Sequence, residues 1–184
     1  MTVLDPRLAE SLWRPYVEDV ALACLDRDPV EDTALVLAIG IRESNLGRSL
    51  TPAGDHNGTG DGGHGRGVWQ LDDRGPFKHL IPAVGEDWPP FIQAQCACQV
   101  LSTARHELAE FKDSLPTRAW DEAVACRYNS ALTAVQWALR NGHSPNEVTT
   151  GRNYGRDVLA LRDGLRRVYP ETFPPVVEPP PPSV

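Results

Sequence analysis

The chain has no excess of positive charge: 18 lysines and arginines stand against 25 acidic residues, a net charge of −7. Non-specific nucleic-acid binding needs a cationic surface, so that class of function is excluded. The same balance gives no help in binding an anionic membrane. Nor is there an apolar run near the roughly eighteen residues of a membrane span. The opening residues, MTVLDPRLAESLWR, lack the basic start and apolar stretch of a secretory signal. The chain is therefore expected to be made in the cytoplasm and to leave it by other machinery. Cysteine is scarce as well. The four present, Cys24, Cys96, Cys98 and Cys126, are too few and too scattered for a disulfide scaffold. Cys96-Ala97-Cys98 lacks the two-residue gap of a zinc knuckle. All four read as reduced, small buried residues. Histidines 56, 64, 79, 106 and 143 show no zinc-ligand spacing, so neither metal nor cofactor is implied.

What remains is an ordinary globular composition, 41% hydrophobic and 23% charged over 184 residues, enough for one domain with a real core. Asp5-Pro6, a cap followed by proline, predicts a first helix running to about Leu25. Asp28-Pro29-Val30-Glu31 repeats the device, with Glu31 at the third position of a capping box. The helix it opens is expected to reach Ser44 or Asn45 and to end at a left-handed Gly47. Its apolar run, Ala34 to Ile41, covers every face, so it should be buried. Residues 51 to 75 hold eight glycines in 25 residues, which forbids a stable helix and favours turns with short extended pieces. Helical patterning returns from Pro90 to about Lys112, with Ile92, Cys96, Val100, Leu101, Leu108 and Phe111 on one stripe. Further helices are predicted from about Arg118 to Tyr128, from Ala131 to Arg140, and from about Arg152 to Val168. Between the last two, Ser144-Pro145-Asn146-Glu147 forms another capping box. Seven of the final 15 residues are proline, an extended or disordered composition. The expectation is a mostly α (α+β) domain over residues 1–170, with a small glycine-rich hairpin region and a proline-rich tail over 171–184.

Chemistry enters at AIGIRESNLGRS, residues 38–49. The most apolar segment of the chain runs without a break into Arg42-Glu43-Ser44. At the carboxyl end of a helix, unpaired carbonyls disfavour a second anion. The apolar run beneath adds a desolvation cost. Both raise the pKa of Glu43, which is what a general acid near neutral pH requires. The plainer alternative is a solvated glutamate that closes the helix beside Arg42 or Arg48.

Three further segments follow in order. They are Gly65-Arg66-Gly67-Val68-Trp69-Gln70-Leu71-Asp72, Arg127-Tyr128-Asn129-Ser130, and the TTGRNYGRDVLAL stretch carrying Tyr154. With Glu43-Ser44-Asn45-Leu46-Gly47 they resemble the goose-type lysozymes and, more distantly, the soluble lytic transglycosylases. The four segments span residues 34 to 161. The resemblance implies a lysozyme-like helical fold in which Glu43 is the general acid. It also implies that Asp61 and Asp72, 11 residues apart, are the two aspartates of the goose-type branch. Acids in glycine-rich turns are often turn formers instead, because they bond their own backbone. Gln70 would sit beside the cleft, and Tyr128 and Asn129 would contact substrate or orient Glu43. Asn129 could equally be the C-cap of its helix. Trp69 offers either a sugar-stacking face or core filling. Tyr154 is either part of the site or an amphipathic-helix core residue. Ser130-Ala131 in place of the family's Ala-Gly, and His64 and Arg66 in the hairpin, depart from the pattern. Arg66 could face an acidic peptide stem or plain solvent.

The implied activity is cleavage of the β-1,4 bond between N-acetylmuramic acid and N-acetylglucosamine in peptidoglycan. Glu43 would protonate the glycosidic oxygen while Asp61, Asp72 or both activate water on the other face of the sugar. Such an inverting arrangement needs carboxyls about 6.5–9.5 Å apart. Two alternatives stay open. One is a lytic transglycosylase, where the sugar's own hydroxyl attacks; the other is a non-catalytic glycan-binding or structural component of a tail or injection machine. The implied partner is the peptidoglycan glycan strand, reached through a phage particle, a holin or a secretion apparatus. The proline tail suits a spacer or a docking segment for such a machine.

Overall fold

The structure is a computed structural model that describes residues 5–27, 31–83 and 85–174. Its described residues form seven α-helices: α1 (Glu10–Trp13), α2 (Val17–Leu25), α3 (Thr33–Ser44), α4 (Pro90–Glu107), α5 (Thr117–Asn129), α6 (Leu132–Arg140) and α7 (Tyr154–Val168). A small antiparallel sheet interrupts them, with β1 (Thr59–Gly60), β2 (Gly65–Arg66) and β3 (Leu71–Asp72) in that spatial order. The fold is mostly helical with one glycine-rich sheet, as the composition implied.

Helix α3 is the central element. Every residue from Ala34 to Ile41 is buried, the carbon side chains at most 2% exposed, and α2 and α7 pack against it. Asp32 caps it by accepting from the Ala34 backbone N–H at 3.0 Å, and its other oxygen takes Arg166 Nη2 at 2.7 Å. The cap was expected at Asp28, which with Pro29 lies outside the described residues. Glu31 does not serve a capping box either: it is 4% exposed, and Arg105 Nε lies 3.2 Å away. The helix ends at Asn45, not at Gly47. Asn45 takes the left-handed conformation at φ 52°, and Leu46 (φ 50°) and Gly47 (φ 88°) carry it on into the turn. Asparagine is one of the few side chains that adopts that region readily.

The first predicted helix is broken. Asp5 does cap, accepting from Arg7 N–H at 2.9 Å, but what it opens is a single 3₁₀ turn, Pro6–Leu8. A second 3₁₀ turn, Arg14–Tyr16, separates α1 from α2. Pro15 sits inside it, and a proline has no N–H to continue the i→i−4 ladder. Helix α4 likewise stops at Glu107 and tightens into a 3₁₀ stretch, Ala109–Ser114. Within α4 the expected stripe holds at Cys96, Val100 and Leu101 and fails at Ile92, which is 40% exposed. After α6, Ser144 accepts from the Asn146 N–H, while Glu147 turns to His143 instead of closing a box.

All four cysteines are free and buried, with Cys24 and Cys98 in contact, Sγ to Sγ 3.8 Å, between α2 and α4. The domain extends past residue 170. Phe173 is 2% exposed and meets Trp13 edge to face at 5.0 Å between centroids, alongside Tyr169 at 4.8 Å. The segment expected as tail from residue 171 therefore gives Phe173 to the core, while Glu171 and Pro174 are exposed and residues 175–184 lie outside the described ones. None of the described helices is long and apolar enough to cross a membrane.

Candidate active site

The sheet is stitched to the end of α3 through the backbone of Val68 and Trp69. Ser44 Oγ donates to Val68 O at 2.6 Å and accepts from the Gly47 N–H at 2.8 Å. Gln93 Oε1 accepts from Val68 N–H at 2.7 Å, and Tyr128 Oη donates to Trp69 O at 2.9 Å. Three helices thus hold one dipeptide, which fixes the sheet beside Glu43. Trp69 fills the space below. Its ring is 1% exposed, Nε1 donates to Val36 O at 2.8 Å, and Gly40 leaves room for it. A ring with no exposed face cannot stack on a sugar, so Trp69 is a core residue and the stacking alternative falls.

Above this seam lies a cleft of about 720 Å³. Glu43 reaches it from α3, Asp61, Gln70 and Asp72 from the sheet, and Tyr128 and Asn129 from the end of α5. The sequence placed six residues there that the fold does bring together. Tyr154 stands behind them instead. It is 1% exposed, its hydroxyl donates to Glu43 Oε1, and Arg42 caps its ring at 5.4 Å. Tyr154 is packed in the core, as one alternative had it, and its hydroxyl bonds the Glu43 carboxyl from there.

Glu43 is the penultimate residue of α3. Part of it reaches the cleft surface, but protein atoms crowd its carboxyl, and this desolvation pushes its pKa up to about 7. The Tyr154 hydrogen bond and the nearby Arg42 cation oppose the rise without cancelling it. Arg42 is itself held by Asp157, whose Oδ2 lies 3.1 Å from Nε, and Asp157 also takes Arg7 Nη1 at 3.0 Å. Desolvation likewise lifts the Tyr128 and Tyr154 hydroxyls well above the usual phenol range, so both serve as neutral donors.

The sheet side is built differently. Asp61 opens a 3₁₀ turn with φ 46° and its side chain is 72% exposed. Asp72 ends β3 and is held below the usual carboxylate range, chiefly by hydrogen bonds from Arg74. Gln70, at φ 50°, donates from Nε2 to Gly67 O at 2.8 Å and lays its carboxamide across the sheet. A Cβ at Gly60 or Gly65 would sit 2.0 or 2.3 Å from Gln70 Oε1, so a side chain at either position would push the Gln70 carboxamide off the sheet. Asn129 is the last residue of α5 and not its cap, which is the extended Ser130. Its Oδ1 accepts from Thr150 N–H at 2.9 Å and ties the loop before α7 to the cleft rim.

The cleft therefore presents a carboxyl that stays protonated near neutrality and, from another element, carboxylates in a polar and open setting. Two carboxyl groups with opposed environments can divide acid from base work. Arg74 and Asp157 were not singled out from the sequence, and Arg42 was named only as a neighbour of Glu43. Arg74 was legible in outline: Asp72-Asp73-Arg74-Gly75 is an Asx turn that folds the arginine back onto the aspartate. Arg42 and Asp157 lie 115 positions apart in the chain, and nothing local joins them. Among the described residues no cluster of histidine, cysteine or acidic side chains could hold a metal ion. No family model and no curated protein matches this chain.

Proposed function

We propose that the protein is a lysozyme-like peptidoglycan hydrolase that cleaves the β-1,4 bond between N-acetylmuramic acid and N-acetylglucosamine with inversion. Glu43 gives its proton to the glycosidic oxygen as the bond to the anomeric carbon breaks. A water attacks that carbon from the other face and loses its proton to Asp61 or Asp72, so the leaving sugar departs neutral and a free reducing end forms. The observation that carries this reading is the asymmetry of one cleft. Glu43 is desolvated and protonated to about pH 7, while Asp72 is held ionised below the usual range. Its support from the sequence is the ordered resemblance of four segments to the goose-type lysozymes.

The test is digestion of purified peptidoglycan. Wild-type protein should release soluble muropeptides, and Glu43→Gln should release them about 10²–10⁴-fold more slowly, the usual contribution of a general acid. Equal rates for the two proteins, with the variant folded, would remove Glu43 from the chemistry.

A further inference from the structure

The sheet joins the two aspartates only through its middle strand and does not set the spacing of their carboxyls. Asp61 follows β1 and Asp72 ends β3, and β1 and β3 lie on either side of β2 without pairing with each other. Across the row Gly60, Gly65, Asp72 the middle position has no side chain to set a spacing. Both carboxylates are largely open to solvent, 72% and 46% exposed, and carry the same charge. The backbone registers their Cα positions, but like charge favours carboxylates that point apart, and the sheet does not decide where the two side chains turn.

Arg74 supplies the link. Its Nε donates to Asp72 Oδ1 at 3.0 Å and its Nη2 to Asp72 Oδ2 at 2.9 Å, a side-on pair. The same Nη2 donates to Asp61 Oδ2 at 2.9 Å. A further bond, Arg74 N–H to Asp72 Oδ1 at 2.8 Å, ties the aspartate to the turn that carries the arginine. One guanidinium nitrogen thus lies at hydrogen-bond distance from both carboxylates and fixes their mutual approach. A planar fork can do this, whereas an ammonium is a point charge that cannot hold the side-on pair and the second aspartate together.

We propose that Arg74 is a positioning residue that clamps Asp61 and Asp72 around a common point in the cleft, and so sets the orientation of the water used in hydrolysis. The proposal rests on the hydrolase reading given above. Arg74 acts through the aspartates, which line the cleft while Arg74 itself does not. Two consequences follow from the clamp. The bonds from Arg74 favour the ionised form of Asp72, and the cation offsets the repulsion between the two carboxylates.

The experiment compares wild type with Arg74→Ala and Arg74→Lys, using the full chain. Arg74 is exposed, so both variants should fold, which a melting curve checks. Initial rates on a purified glycan-strand substrate should show kcat lowered about ten- to a hundredfold in Arg74→Ala with KM nearly unchanged, the signature of lost orientation. Arg74→Lys should fall between, since it keeps the charge and loses the fork. Carboxyl titrations by NMR, made without substrate, should show Asp72 moving up in Arg74→Ala. Wild-type kcat in Arg74→Ala would overturn the proposal. So would a raised KM at unchanged kcat, which would make Arg74 a substrate contact. An unmoved Asp72 titration would show that the clamp does not exist in solution, whatever the enzyme does. If wild-type protein releases nothing from peptidoglycan, the hydrolase reading fails and the positioning role fails with it, while the titration still decides on the clamp.

Discussion

At the residue scale, Glu43 is kept protonated where most glutamates ionise, and this has a cost that depends on pH. In the unfolded chain its carboxyl titrates near 4.5, and in the folded protein at about 7. Between these values the native state binds the proton that the unfolded chain has lost, so stability falls as pH rises through the window. Below about 4.5 the carboxyl is neutral in both states and exerts no effect. Glu43→Gln removes the penalty while keeping the shape. Its unfolding free energy should match wild type at pH 4 and exceed it by pH 8, by up to a few kcal/mol at roughly 1.4 kcal/mol per pH unit, read from denaturant curves. A gap that shrinks with rising pH would contradict the burial argument. Activity should decline above about pH 7 as the acid loses its proton. Tyr154→Phe removes a bond that favours the anion, so the alkaline limb of the pH profile should move upward. An unmoved limb would mean that the hydroxyl does not govern the acid.

At the element scale, helix α3 delivers Glu43 to the cleft, and its two ends were legible to different degrees. The uninterrupted apolar run announced a buried helix, and the carboxylate at its end announced a perturbed acid. The start was expected at Asp28-Pro29, whereas Asp32 is the residue that bonds the helix, with Arg166 securing it from α7. That arginine lies 134 residues away, beyond any local pattern. Asp32→Ala should cost about 1–2 kcal/mol of stability, read from a denaturant curve. Gly40 sets a second test of this element. A mid-helix glycine replaced by alanine is usually stabilising by roughly 0.5–1 kcal/mol. Here the added methyl would lie 2.7 Å from Leu46 Cδ2 and 3.1 Å from Trp69 Nε1. Gly40→Ala should therefore destabilise, by about 1–3 kcal/mol, through overpacking. A stabilised variant would show that the ring of Trp69 is not seated against α3. The glycine-rich stretch was read correctly as turns and short strands. That the Gln70 carboxamide lies over Gly60 and Gly65 could not be read, because no local pattern joins the turn at residue 70 to those two positions.

At the scale of the whole molecule, the core closes over residues that a linear reading assigned elsewhere. Phe173 looked like the start of a tail because prolines surround it, yet it packs on Trp13 from the other end of the chain. Phe173→Ala should cost about 3–5 kcal/mol, whereas truncation after Pro174 should leave melting temperature and peptidoglycan activity within error. Six cleft residues were legible because their motifs follow one another in an order that resembles a known family. The bond from Arg74 to Asp61 and the pairing of Arg42 with Asp157 were not, because they are relations between segments and belong to no single motif. The central claim is that this cleft adds water across a glycosidic bond, with Glu43 as the acid and the clamped aspartates on the water side. Digesting peptidoglycan in heavy-oxygen water and weighing the released muropeptides tests it most directly. Every new muramic acid end should be a reducing end that carries one heavy oxygen, formed first in the α configuration. Unlabelled 1,6-anhydro ends would show that the sugar's own hydroxyl attacks, and would contradict the account.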